Sequence, residues 1–244
     1  MDTIKINSGK TLMIAHRGVS KLERENTCPA FLSAASRSYY GIETDVHPTR
    51  DGKLVTIHDS NLKHVSGEKY TIDVEQTDYC DFADIVLPDL DGSTIRRDIR
   101  VPLFKEYLAI CKKYGKRAVV EIKGIFSYDN IVKLVDEVKE LDYIDGVIFI
   151  AFDLENCINV RKLLPDAEVQ FLANNTPQSD AELTALLREH RLDLDVFYKR
   201  LTKEWIDELH AAGIKVNCWT CDDPVEAEKL VGMGIDFITS NILE

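Results

Sequence analysis

Between Gly41 and Asp59 the chain reads GIETDVHPTRDGKLVTIHD, and this short stretch holds residue types that bind cations and move protons. Glu43 and Asp45 stand two residues apart in a strand-like run. Side chains at i and i+2 of a strand share a face, so both carboxylates point the same way. Asp51-Gly52 is a strong signal for a tight hairpin. A two-residue turn centred there pairs residues whose numbers sum to 103, which sets His58 opposite Asp45. One local element thus brings acidic oxygens beside a titratable imidazole. That grouping suits a hard divalent cation next to a general acid or base.

Further residues of matching chemistry fall at the ends of other strand-like runs. The first such run closes on AHRG, which puts His16 and Arg17 at its end with Gly18 free to take an unusual turn. A later run closes on Glu121-Ile122-Lys123, again a same-face pair, and another presents Trp219 within CWT. Three carboxylates, two imidazoles, a guanidinium and an ammonium converge on one barrel mouth, where a cation held by the carboxylates, with Arg17 and Lys123, would place positive charge against developing negative charge. All-oxygen ligands favour Mg²⁺ or Ca²⁺ over Zn²⁺. His16 and His58 can give and take the protons, each step contributing roughly 10²–10⁴-fold. His47 shares the face of Glu43 and Asp45 but lies farther out. His64, His190 and His210 fall in the polar stretch or in helical segments and are expected to face solvent.

Strands must carry these residues to one place. Nine strand-like runs are legible: 12–16, 41–47, 53–58, 117–123, 146–152, 167–173, 194–198, 214–220 and 236–240. Segments of helical period lie between most of them, with Thr27 before Cys28-Pro29, Asp223 before Pro224, and Gly213 after LHAA as end signals. Alternating strands and helices predict a parallel sheet with helical crossovers. A strand joined by a tight turn runs antiparallel, so 53–58 leaves the parallel set and eight strands remain. The fold class is therefore α/β, a (β/α)₈ TIM barrel, with the site at the C-terminal ends of its strands. The polar stretch from residue 60 to about 100 breaks the rhythm. A structureless loop of that length is unusual, so it reads as a small insertion subdomain over the mouth, within a single domain spanning 1–244.

Composition narrows the class of partner. A formal charge of −12 argues against nucleic acid and anionic membranes. No apolar run approaches the roughly 18–20 residues of a membrane span, and the N-terminus MDTIKINSGK lacks a signal-peptide core, so the expected location is the cytoplasm. The six cysteines are scattered and read as free thiols of a reducing compartment. Cys218 and Cys221 form a C-x-x-C, but Cys218 lies inside a strand run rather than opening a helix, which does not fit a redox pair.

The set AHRG (15–18), ENT (25–27), ETDVH (43–47), DG followed by TIHD (51–59), EIK (121–123), AF (151–152) and CWT (218–220) resembles the glycerophosphodiester phosphodiesterase family in order and spacing across nearly the whole chain. The resemblance implies a barrel with an insertion after the HD motif and a divalent metal, and hydrolysis of a glycerophosphodiester to glycerol 3-phosphate and an alcohol. It implies Glu43, Asp45 and Glu121 as metal carboxylates, His16 and His58 as the acid–base pair, Arg17 as a phosphate contact and Lys123 as a further polar contact. Trp219 and Phe152 are expected to line the substrate. Two departures stand out. The family's usual I-T-D-x-P ending is here ITSNIL, with Asn241 at the Asp position, a change expected to concern the rim and a C-terminal cap. Lys-His-Val-Ser replaces the usual Arg-Thr-Thr run after the HD motif, in the insertion expected to contact the leaving alcohol. Two other readings stay open: a related barrel diesterase acting on lysophospholipid or phosphoinositol substrates, and an inactive barrel that only binds diesters. The insertion carries Tyr70, Tyr79 and Phe82 but no long apolar stretch for an acyl chain, which favours a small polar substrate. The sequence assigns no oligomeric state.

Overall fold

The computed structural model describes residues 2–173 and 179–244. Eight parallel strands form the barrel: β1 (Leu12–Ala15), β2 (Gly41–Pro48), β4 (Arg117–Ile122), β5 (Val147–Ala151), β6 (Glu168–Ala173), β7 (Asp193–Phe197), β8 (Val216–Trp219) and β9 (Phe237–Ser240). Their order, β1-β9-β8-β7-β6-β5-β4-β2, closes on itself because β1 also pairs with β2. β3 (Leu54–Thr56) is antiparallel to β2 and stays outside the parallel set. Crossovers are made by α1 (Cys28–Ala35), α2 (Phe104–Tyr114), α3 (Tyr128–Glu140), α4 (Leu154–Leu163), α5 (Asp180–His190), α6 (Lys203–Ala211) and α7 (Pro224–Met233). No described helix is long and apolar enough to cross a membrane.

Local chemistry explains most helix starts. Ser127, Asp153, Ser179, Thr202 and Asp223 each accept a backbone N–H of the first turn with the side chain. Thr27 precedes α1 but does not cap it this way; its hydroxyl donates to the carbonyl of Arg24 instead. Pro29 opens that helix without needing a donor partner. Between helices and barrel runs one large apolar cluster, including Phe31, Tyr107, Phe149, Leu194 and Ile238. Inside the barrel, Ile14, Val119, Ile148, Ile150, Leu172 and Phe237 form a separate cluster below the mouth.

The hairpin forms, but one residue out of the expected register. The pairs are Val46↔Thr56, His47↔Val55 and Pro48↔Leu54, and the backbone N–H of Ile57 bonds the carbonyl of Asp45 at 3.0 Å. Asp45 therefore faces Ile57, and His58 is not its partner. The cause is the turn. Thr49 N–H bonds the carbonyl of Lys53 at 2.8 Å, leaving a three-residue loop with Gly52 at φ +74°, a conformation that glycine takes at little cost. The same shift removes the ladder constraint on His58 and lets it turn to the mouth.

Residues 60–100 contain little regular structure, but they close a small core with the hairpin. Leu62, Val65, Val74, Phe82, Leu87 and Ile99 pack with Val55, Ile57 and Val101. His47 joins the two parts: its Nδ1 lies 2.8 Å from Glu75 and its Nε2 is 3.1 Å from the carbonyl of His58.

Candidate active site

At the C-terminal ends of the strands lies a cavity of about 180 Å³. His16, Arg17, Glu43, His58, Glu121, Lys123, Phe152, Asp195, Trp219 and Thr239 are among its walls. A larger groove, about 480 Å³, opens at the N-terminal end of β4, β5 and β6. Its charged residues are Arg117, Asp145, Asp166 and Glu168, with no imidazole among them, so it lacks the proton-transfer groups found at the mouth.

The parallel register places the acidic cluster. Asp45 pairs with Glu121 across β2 and β4, and alternation turns Glu43 inward with them. One oxygen from each of Glu43, Asp45 and Glu121 lies within 4.8 Å of the others, and all three residues are buried. Glu43 Oε1 makes no hydrogen bond among the described residues, while Glu121 Oε1 and Asp45 Oδ1 face the Lys123 ammonium at 2.8 and 3.3 Å. Three carboxylate oxygens gathered without solvent are costly unless positive charge joins them, which Lys123 supplies only in part, and an all-oxygen set fits Mg²⁺ or Ca²⁺. Burial, then the charges of Asp45 and Glu121, raise the Glu43 carboxyl well above its usual range. Burial, and then Asp45, push Glu121 up to about 7. Burial would raise Asp45 as well, but Arg17 and Lys123 outweigh it and hold that carboxyl below the usual range.

Both cations lie among these carboxylates. Lys123 Nζ is 2.8 Å from Glu121 and 3.3 Å from Asp45. Arg17 has Nη1 2.9 Å from Glu25 and Nε 3.3 Å from Asp45, and its backbone N–H donates to Glu43 Oε2 at 2.7 Å. That last bond needs an unusual backbone. Arg17 has φ +55° and Gly18 φ +76°. A Cβ on Gly18 would lie 2.6 Å from the backbone of Ala30 in α1, so only glycine fits where the AHRG turn meets that helix.

The two imidazoles are held differently. His16 Nδ1 is 2.8 Å from Asn241 Oδ1, which also accepts from Ser20 at 2.6 Å. Asn241 is itself fixed, since its amide donates to Asp222 Oδ2 at 2.7 Å and its backbone N–H to Asp222 Oδ1 at 2.8 Å. An amide oxygen only accepts, so Nδ1 carries the proton and Nε2 keeps its lone pair. Nε2 is 3.9 Å from Glu43 Oε2. Burial, then Arg17, lower His16 to about 4. His58 Nδ1 lies 2.7 Å from the carboxylate of Asp59, and burial lowers His58 too. Over the mouth, Phe152 meets Trp219 edge-on at 5.7 Å between centroids, and Phe197 lies 5.9 Å from Trp219.

All nine residues singled out from the sequence gather around this cavity, with Asp45 joined to it through Glu121, Arg17 and Lys123. Two expectations change. Asn241 does more than cap the rim, because it bonds His16 directly. None of the residues 60–100 lines the cavity; the insertion meets its surroundings through Glu75, His47 and the hairpin, and through Pro88, Asp89 and Arg96, which bond Arg24 and Glu23 beside Glu25. Sequence reasoning also missed Asn26 and Phe197. Asn26, at φ +55° and buried, donates to Asp45 Oδ2 at 2.7 Å and accepts from Thr44 at 2.6 Å. Its signal was the ENT run, which also reads as a helix start.

Comparison with known proteins gives the family and the fold. The model of the glycerophosphoryl diester phosphodiesterase family matches residues 16–243. A glycerophosphodiester phosphodiesterase of Caldanaerobacter subterraneus subsp. tengcongensis is 30% identical over 237 residues, covering 95% of this chain and 94% of its own. The crystal structure of a glycerophosphodiester phosphodiesterase from Parabacteroides distasonis is similar at TM-score 0.78 and 28% identity, over 95% of this chain and 93% of that one. An Oleispira antarctica phosphodiesterase, solved with the product sn-glycerol-3-phosphate, shares the fold at TM-score 0.83 and 20% identity, over 98% and 96% of the two chains. With the family model matching residues 16–243 and a relative aligned along nearly its full length, the chain belongs to the glycerophosphoryl diester phosphodiesterase family of hydrolases.

Proposed function

We propose that this chain hydrolyses glycerophosphodiesters to sn-glycerol 3-phosphate and an alcohol. In this reading Glu43, Asp45 and Glu121 hold a divalent cation, Mg²⁺ or Ca²⁺, and His16 and His58 transfer the protons. The observation that carries it is the meeting of three carboxylate oxygens within 4.8 Å of one another with two imidazoles on one cavity. No other group of three such ligands occurs among the described residues.

A bound cation supplies positive charge to the phosphoryl oxygens as negative charge builds there. Arg17 and Lys123 add to that field and orient the phosphate, since both point into the same carboxylate cluster. Displacement at phosphorus needs one group to take a proton from the nucleophile and another to give one to the departing alcohol oxygen. His16 is neutral at pH 7, with Nδ1–H fixed on Asn241 and Nε2 free to bond. His58 is held through Nδ1 by the Asp59 carboxylate, and whichever imidazole of the pair is protonated gives its proton to the departing alcohol while the neutral one takes the nucleophile's. The nucleophile is water or the glycerol 2-hydroxyl. Phe152 and Trp219 form the wall that meets the alcohol side, and Phe152 is 37% exposed.

The test is a panel of glycerophosphocholine, glycerophosphoethanolamine, glycerophosphoinositol and a lysophosphatidylcholine, each with Mg²⁺ or Ca²⁺. Phosphorus NMR should show sn-glycerol 3-phosphate accumulating from the glycerophosphodiesters. Cleavage of the lysolipid alone, or of nothing with either metal, would overturn the assignment.

A further inference from the structure

One carboxylate on the cavity belongs neither to the cation cluster nor to the acid–base pair. Asp195 stands in the middle of β7, on the cavity wall and 1% exposed. Its neighbours form a polar layer inside the barrel. Asn217 of β8 donates to Asp195 Oδ2 at 3.2 Å and to Gln170 Oε1 at 3.0 Å, and accepts from Thr239 at 3.3 Å. This leaves Asp195 Oδ1 buried, on a cavity wall, with no hydrogen-bond partner among the described residues. A group so placed is expensive unless something bonds it.

The polar layer has a definite position. Phe197 follows Asp195 by two residues on the same face and pairs in register with Trp219, while Asp195 pairs with Asn217. Two residues along a strand span about 6–7 Å. The cavity thus has an aromatic rim and, one step below on the same wall, a polar floor. It is close enough to the cation cluster for the Glu121 charge to add to burial in raising the Asp195 carboxyl. Asp195 is outside the group of mutually close ligand oxygens, so the cation does not account for its free oxygen. A small hydroxylated group would, and the cavity, about 180 Å³, is small beside the roughly 300–1,000 Å³ of drug-sized ligand pockets.

We infer that Asp195 reads a hydroxyl of the substrate's glycerol moiety, which enters with its diol toward the barrel floor while the alcohol faces the aromatic rim. This rests on the proposed function, because it assumes a glycerol-bearing diester. It assigns glycerol selectivity to one buried group and leaves the head-group side open to solvent at Phe152. A site built to bond a hydroxyl discriminates against analogues that lack it, because its own polar group is then left unpaired.

Calorimetric binding of two product-type ligands, sn-glycerol 3-phosphate and n-propyl phosphate, isolates the diol without requiring turnover. In the presence of Mg²⁺ or Ca²⁺, the native chain should favour sn-glycerol 3-phosphate by roughly 10–100-fold. Asp195→Leu, near in size and apolar, should bind both alike, and Asp195→Asn should restore most of the preference. Equal binding by the native chain, or an unchanged preference in Asp195→Leu, would overturn the inference. If Asp195→Leu does not fold, a crystal structure of the native chain with sn-glycerol 3-phosphate decides. A hydroxyl oxygen within hydrogen-bond distance of Asp195 Oδ1 supports the assignment. A diol pointing outward, or Asp195 ligating the cation, refutes it. Turnover of glycerophosphocholine by the native chain reports separately on the proposed function.

Discussion

In the proposed mechanism His16 and His58 move the protons, and each is held by a different neighbour. His16→Ala and His58→Ala should each lower kcat by roughly 10²-fold or more. Their combined effect should fall short of the product, since both serve one reaction. A near-native kcat in either variant would strip that residue of its role. The Asn241 support is testable apart from them. Asn241 Oδ1 fixes the His16 ring and its tautomer, so Asn241→Ala should cost roughly 10-fold in kcat with KM little changed, the worth of one hydrogen bond of about 1.4 kcal/mol. Asn241→Asp combined with Asp222→Asn, which keeps an acceptor for His16 and a donor–acceptor pair between the two side chains, should recover most of the rate. A KM-only defect in Asn241→Ala would place that residue in binding instead. That His16, His58 and the three carboxylates would meet at one mouth was legible in the sequence because strand-end position and residue type advertise them. The sequence could not show that Asn241, 225 residues away, bonds His16, or that Asn26 reaches Asp45. The first contact depends on the pairing that brings β9 beside β1, the second on the pairing of β1 with β2.

The elements were more legible than their register. Nine β-rich runs between helical periods gave the barrel, and the Asp51-Gly52 turn correctly removed one strand from the parallel set. The one-residue shift in pairing came from Thr49, whose backbone and hydroxyl close the loop on Lys53 and Asp51, a preference that a turn dipeptide alone does not reveal. The insertion shows a similar limit. Its composition marked a departure from the barrel rhythm, but not that its apolar residues would cover Val55 and Ile57 of the hairpin. Replacing residues 60–100 by a short Gly-Ser loop would bare those side chains, and each buried aliphatic group of this kind is worth about 1.5–3 kcal/mol. The replacement should therefore lower Tm by several degrees and loosen His47, which loses Glu75. Thermal unfolding of the replaced chain measures this; an unchanged Tm would show that the hairpin holds without its cover.

For the whole molecule, a cation held by Glu43, Asp45 and Glu121 would link its binding to stability through the same carboxylates. Glu121 is pushed up to about 7 and Glu43 well above its usual 4.5, so the metal-free folded chain keeps protons that the unfolded chain has released. For raised carboxyls, stability present at low pH is lost as pH climbs through the folded values. His16 acts oppositely. Lowered from 6.5 to about 4, it adds stability as pH rises between those values. The two trends compete below pH 6.5, and above it the carboxyls act alone. The metal-free protein should therefore lose Tm as pH rises from about 6.5 through 7, and saturating Mg²⁺ or Ca²⁺ should remove the share due to Glu43 and Glu121, since ligation requires the anionic form, while half-buried Glu137, also raised to about 7, keeps its own. Scanning calorimetry with and without chelator checks it, and a flat or rising metal-free Tm across that window would count against the carboxyl assignment. The central claim, that the cluster of Glu43, Asp45 and Glu121 makes this barrel a cation-dependent diesterase, is tested most directly by chelation. After exhaustive EDTA treatment, release of sn-glycerol 3-phosphate from glycerophosphocholine should stop, and Mg²⁺ or Ca²⁺ should restore it in the native chain but far less in Asp45→Asn. Full turnover in the chelated native chain would contradict the account.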